Sequence, residues 1–113
     1  MRKTEFSTDM AGLRVPAGAT ETALALALHA GLVVAFNYDG KPRVVEVHAV
    51  GTNSRGEGIF RGMQINDGPP TWKLFSIGKI SNFGLTFLDS EAPREGYAMN
   101  DKQIATMLAQ IVI

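Results

Sequence analysis

The sequence predicts a mainly β domain of the α+β kind: a small antiparallel barrel with one helix packed ahead of it and a second helix behind. Three observations carry that expectation. Short β-branched and aromatic runs recur from Leu32 to Asp89, separated by turns such as Asp39-Gly40 and Asp67-Gly68-Pro69-Pro70. One run of strong helix formers, "TALALALHA", precedes them. Ile104, Met107, Leu108 and Ile111 follow at helical spacing. With 113 residues the chain has room for a single modest core.

The order divides into an arm over residues 1–18, a barrel with its leading helix over 19–90, and a linker with a helix over 91–113. In the arm, "STDMAGLRVPAGA" has no sustained period, although Leu13 and Val15 suit an edge strand. The first helix has Thr20 as expected N-cap, Glu21 in the first turn where the helix dipole favours an acid, and Gly31 as its stop. Leu24 and Leu28 share a face while Leu26 points elsewhere, so the helix asks for more than one covering surface. Packing across a barrel mouth under the arm satisfies that demand. A homodimer through Leu24, Leu26 and Leu28 is the sharper alternative.

The strands follow. "LVVAFNY" turns at Asp39-Gly40 into "RVVEVHAV", where Val45 and Val47 alternate against Val44, Glu46 and His48. "GIFRGMQI" reads as the third strand and "TWKLFSI" as the fourth, with "FGLTFLD" a short fifth. If the fourth is regular, Lys73, Phe75, Ile77 and Lys79 share one parity. "APREGYAMN" is an irregular link, and Asn100 with Gln103 resembles a capping box opening the last helix. The apolar ending "IVI" is a second candidate for contact with a partner chain.

Several function classes are excluded early. With no cysteine, disulfides, thiolate catalysis and cysteine-held zinc or iron–sulfur sites are ruled out. The 11 basic residues balance 11 acidic ones, so any anion site must be local rather than a global field. No apolar run reaches bilayer length and "MRKTEFSTDM" is no secretory leader, which makes a cytoplasmic location the expectation.

The chemically suggestive stretch is "HAVGTNSRGEGIFRG", from His48 to Gly62. Gly51 to Gly56 imitates the opening of a phosphate loop, but Glu57-Gly58 stands where Lys-Ser/Thr is required, and a strand follows instead of a helix. Its glycines therefore read as hairpin-turn residues. Neither His29 nor His48 has a carboxylate at ligand spacing, so no metal or cofactor is expected, and no nucleophile elbow marks an enzyme. His48 is either a hydrogen-bonded strand residue or an anion ligand. Arg61 interrupts an apolar strand, and Arg43, Arg55, Lys73 and Lys79 fall in the same region. A cation on such a strand needs solvent or an anion, and Glu46 and Glu57 are internal candidates. As a cluster, the basic residues suggest an anion-recognising face.

The entry "A-x-x-x-G-x-V-V-x-F-x-Y-x-G" from Ala27 to Gly40 leads to "VEVHAVG" ending at Gly51. The strand Ile59–Gln64 and the "F-x-I-x-K-I" close at Phe75–Ile80 follow it. Together these resemble a WYL domain over roughly residues 20–90, and "PREGY" at Pro93–Tyr97 is similar to short stand-alone members of that family. The triplet that names the family falls at Ile59-Phe60-Arg61, and Lys79 stands where an arginine is usual. The resemblance implies an Sm-like barrel with SH3-like strand order, serving as a ligand sensor in bacterial transcription regulation, phage defence or DNA-damage responses. Residues 1–18 hold no helix-turn-helix, so a sensor without its DNA-reading module is expected.

The resulting expectation is a non-enzymatic module binding a nucleotide, single-stranded oligonucleotide or other phosphate-bearing ligand. Its face would carry His48, Asn53, Arg55, Arg61, Lys73 and Lys79, with Phe60 or Trp72 stacking on bases. The alternative is a protein-interaction module, homodimeric or docking on a partner, of the kind a phage could encode to act on a host regulator or defence protein.

Overall fold

A computed structural model describes residues 13–16 and 18–113. Residues 1–12 and 17 of the expected arm lie outside the described residues. The described chain forms a mainly antiparallel sheet with one helix. The elements are β1 (Leu13–Arg14), α1 (Thr20–Ala30), β2 (Leu32–Tyr38), β3 (Lys41–Thr52), β4 (Gly58–Gln64), β5 (Thr71–Ser76), a 3-10 turn (Ile77–Lys79), β6 (Ser81–Asp89) and β7 (Thr106–Gln110). The ladder order is β1-β6-β2-β3-β4-β5, with β7 joined to β3. No ladder joins β1 to β5 among the described residues, so the sheet is open.

The helix is built much as its residues require. Gly31 ends it in the left-handed region, at φ 71°, and returns its N–H to Ala27 O. Thr20, expected as the cap, is instead the first helical residue after Ala19, and no side chain caps this end. Ala23, Leu24, Ala27 and Leu28 form one buried stripe, which leaves Leu26 exposed. Two of the three leucines expected at a dimer contact, Leu24 and Leu28, are therefore core residues.

The β2–β3 hairpin turns on Asp39 and Gly40, both at positive φ (53° and 73°), the conformation that matches strand twist. Phe36, Phe60, Phe75 and Phe83 meet beneath the helix stripe. Phe36 and Phe75 are edge to face with centroids 5.0 Å apart, while Phe60 and Phe75 stack at 5.1 Å. Tyr38 closes one end of this core by accepting the Ser76 N–H on its hydroxyl at 3.1 Å.

β3 organises everything else. Its residues Val44–Gly51 are all buried, because both faces are covered. Val45, Val47 and Val50 face the core under α1. A bulge between Val47 and Ala49 breaks the simple alternation read from the sequence and turns both His48 and Ala49 toward the opposite face. That outer face is covered by the chain beyond β6.

The expected C-terminal helix is a strand. β2 pairs with β3 only as far as Glu46, which leaves the buried far half of β3 without a partner on that edge. Buried backbone N–H and C=O groups require partners, and β7 supplies them from Ala49↔Gln110 to Thr52↔Thr106. A bulge at Leu108 then divides the apolar residues between two faces: Ala109 and Ile111 pack into the core under α1, Met107 packs against Ala49, Ile59 and Ile104 on the other face, and Leu108 is exposed. Gly51 permits the contact, since a Cβ there would overlap the Thr106 carbonyl and the Ile104 side chain. The fourth strand also stops early. Its expected continuation through Lys79 becomes a 3-10 turn, so Lys73 and Lys79 do not lie on one regular strand face.

Candidate functional site

The outer face of β3, β4 and β5 carries a row of polar and aromatic side chains. Cross-strand register sets Arg61 beside Ala49 and Leu74, and Met63 beside Trp72, all on this face. The segment 90–103 crosses over them. Between sheet and segment lies an open cleft of about 480 Å³, with Arg61 and Trp72 from the strands and residues 96–103 on the other side.

Two ionic contacts fix the crossing segment. Glu46, 1% exposed, accepts Arg94 Nε at 2.6 Å and Nη2 at 3.2 Å, and also the Glu91 N–H at 2.8 Å. Hydrogen bonding to Glu46, the largest influence, holds the Arg94 guanidinium above its ordinary range. At the cleft, Asp101 Oδ2 accepts Arg61 Nε at 2.7 Å, and Oδ1 accepts the Gln103 N–H at 2.9 Å. Burial pushes the Asp101 carboxyl upward, but the bonds from Arg61 and Gln103 together outweigh it and hold the group below the usual carboxylate range. The Arg61 terminal nitrogens take no hydrogen-bond partner among the described residues. Asp101 thus anchors the guanidinium through one nitrogen and leaves its fork free for an incoming acceptor.

His48 lies behind the cleft wall, fully buried. Its Nδ1–H donates to Glu46 O at 3.0 Å and its Nε2 accepts the Arg94 N–H at 3.0 Å, which requires the neutral ring in one tautomer. Burial is the main cause that lowers its pKa, with Arg94 adding to it and Glu46 opposing. Trp72 contacts the ring edge to face at 4.6 Å, and Tyr97 lies 5.2 Å from it. Trp72 and Tyr97 are themselves nearly parallel, 28° apart with centroids at 6.4 Å. The Tyr97 hydroxyl donates to Ile111 O at 2.8 Å, and burial raises its pKa.

The structure therefore gathers three of the eight expected residues: Arg61 and Trp72 line the cleft, and His48 supports it. The rest are elsewhere. Asn53 Oδ1 accepts the N–H groups of Arg55 and Glu57, closing the β3–β4 turn with Gly56 at φ 79°. Arg55 pairs with Glu57 at 3.1 Å in solvent. Bonds from Asn53, then Arg55, lower the Glu57 pKa. Phe60 is fully buried in the aromatic core, where no ligand can stack on it. Lys73 is on the face of β5 opposite Trp72, and Lys79 is exposed on the 3-10 turn.

Sequence reasoning missed Arg94, Tyr97, Asp101 and Lys102 as site residues. One signal was available: Glu46 and His48 on an otherwise apolar strand demand buried partners, and "PREGY" offers a cation next to an aromatic residue. Among the described residues, no group of three or more His, Asp or Glu is arranged to hold a metal ion. No helix there is long and apolar enough to cross a membrane. Compared with family models, curated proteins and solved structures, the chain matches none.

Proposed function

We propose that the protein is a non-enzymatic, WYL-like binding module, built on a small SH3-like barrel. Its ligand is planar and anionic: a nucleotide, or a short single-stranded oligonucleotide entering base first. The observation that carries this reading is the Arg61 fork, anchored by Asp101, beside the parallel rings of Trp72 and Tyr97 in one open cleft. An aromatic surface takes any base, and a fixed guanidinium takes a phosphate by two parallel hydrogen bonds. Lys102 on the rim adds a second cation. The order β6-β2-β3-β4-β5 supports the barrel reading, and zero net charge fits a local anion site better than a broad nucleic-acid surface. Service in transcription regulation or phage defence follows from the family resemblance.

Trp72 is the sole tryptophan, so its fluorescence reports the cleft directly. Titration with adenosine 5′-monophosphate and oligo(dT) at low salt should give saturable quenching, weakened at least about tenfold by Arg61→Ala and by added salt. Absence of saturable quenching with both ligands would remove the reading.

A second reading is favoured by exposed apolar residues. Leu26 on α1, Leu108 on β7, and Val112 and Ile113 are 57–76% exposed. They suit a homodimer or a docking partner. Sedimentation of wild type against Leu26→Glu and Leu108→Glu tests this, and a monomer at high concentration opposes homodimerisation.

A further inference from the structure

The segment from Ser90 to Tyr97 is a strap. It is tied down at three points, one at the end of α1 and two on β3: Ser90 N–H to Gly31 O at 2.8 Å, Glu91 N–H and the Arg94 guanidinium to Glu46, and the Arg94 backbone N–H to His48 Nε2 at 3.0 Å. Beyond these ties the strap becomes cleft wall, since Gly96 and Tyr97 line it and a Cβ at Gly96 would lie 3.4 Å from Trp72 Nε1. The last tie is unlike the others. Backbone amides on sheets find carbonyl acceptors almost everywhere, and a carbonyl accepts at any physiological pH. Here the acceptor is an imidazole nitrogen, the one common side chain whose acceptor is lost to a proton between pH 5 and 8.

We propose that His48 and the strap form a proton-sensitive latch on the cleft: the neutral imidazole holds Arg94 and Tyr97 in place, and protonation at Nε2 releases the strap and dismantles the aromatic wall. The geometry leaves the protonated ring nowhere to go. Nδ1–H already donates to Glu46 O, so the new Nε2–H would point at the Arg94 N–H, donor against donor. The charges acting on the ring are Glu46 on its own strand and Arg94 on the strap, and Glu46 is committed to Arg94 Nε, Arg94 Nη2 and Glu91 N–H. Tyr97 from the strap and Trp72 from β5 face the ring with aromatic surfaces, neither supplying an acceptor in the plane. A fully buried imidazolium without an acceptor is costly, and moving the strap outward admits water to it. The lowered pKa agrees with this, because the native packing favours the neutral ring.

The consequence for binding rests on the cleft being the ligand site, whereas the latch itself can be tested without ligand. The variant is His48→Gln, whose amide oxygen can accept the Arg94 N–H and does not titrate. Hydrogen-exchange protection of the Arg94 amide, corrected for intrinsic rates, is followed from pH 7.5 to pH 5. Wild type should lose about tenfold or more of its protection while the variant stays constant. Adenosine 5′-monophosphate binding, read from Trp72, should weaken more steeply over the same range in wild type than in the variant, because the phosphate's own second ionisation, near pH 6, acts on both proteins alike. Unchanged Arg94 protection in wild type, or parallel loss in both proteins, overturns the latch. Loss of protection in wild type alone, with no nucleotide binding at either pH, upholds the latch and removes the ligand-site reading. If the variant does not fold, the 15N shifts of the wild-type His48 ring decide. Ring protonation coincident with Arg94 release upholds the latch, and protonation with Arg94 still protected overturns it.

Discussion

Replacing Arg94 by alanine should be among the most damaging single changes available on the solvent side of this protein. The side chain is 25% exposed, yet its partner Glu46 is 1% exposed and has no route to solvent while the strap is in place. Arg94→Ala removes hydrogen bonds of 2.6 and 3.2 Å and leaves a buried carboxylate with only the Glu91 N–H at 2.8 Å. Removing one partner of a buried pair costs about 3–5 kcal/mol. The partial exposure of Arg94 and water entry into the vacated space reduce this, so about 2–4 kcal/mol is expected. For a domain of this size that lowers Tm by roughly 10–20 °C. The assay is urea unfolding followed by Trp72, with Glu46→Gln and the double variant completing a cycle. The coupling should exceed about 1 kcal/mol, because much of the single-variant cost is the stranded carboxylate. Arg55→Ala, which breaks an exposed pair of the same chemistry, should leave the midpoint unmoved. Arg94→Ala within about 0.5 kcal/mol of wild type would refute the claim that this ion pair fixes the strap.

Three further outcomes follow from particular contacts. Gly51→Ala sets a methyl group against the Thr106 carbonyl, so β7 must shift from β3; a loss of roughly 2 kcal/mol or more is expected, with faster amide exchange over Thr106–Gln110. Stability should fall as pH drops below about 6.5, because the unfolded chain then takes up a proton on His48 that the native ring resists, and the fall should level off below the lowered native pKa. Urea titrations between pH 8 and 5 check this, and His48→Gln should flatten that part of the curve. Phe60→Ala should cost about 3–5 kcal/mol while leaving nucleotide affinity of the folded protein intact, since its ring is wholly inside the core.

What could be read in advance depended on whether the signal was local. Gly31 stops α1, and Asp39-Gly40 turns β2 into β3, because each needs only its own backbone conformation. The C-terminal strand was illegible for the opposite reason. Ile104, Met107, Leu108 and Ile111 fit a helix locally, and only the unpaired far edge of β3, more than fifty positions away in sequence, makes a strand the better partner. The bulge at His48 likewise appears only when β3 is laid against β4.

The site shows the same division. Arg61 stood out as a cation in an apolar strand, and it does face a cleft; its anion is Asp101, supplied from a distant loop, where Glu46 and Glu57 had been the expected partners. Glu46 serves Arg94, and Glu57 serves Arg55 and Asn53. Charge balance in the sequence said that partners exist but could not say which ones. Lys73 and Lys79 share a face with each other only on a regular fourth strand, and the 3-10 turn at Ile77–Lys79 ends that strand before Lys79.

The central claim is that ligand binds between the Arg61–Asp101 pair and the rings of Trp72 and Tyr97. Backbone amide shifts of the 15N-labelled protein, titrated with adenosine 5′-monophosphate at pH 7.5 and low salt, test it most directly. The account predicts saturable shifts at Arg61, Trp72 and residues 96–103, with Asn53, Arg55 and Lys79 unmoved. Shifts centred on Asn53, Arg55, Lys73 and Lys79 with a silent cleft, or none at all, would contradict it.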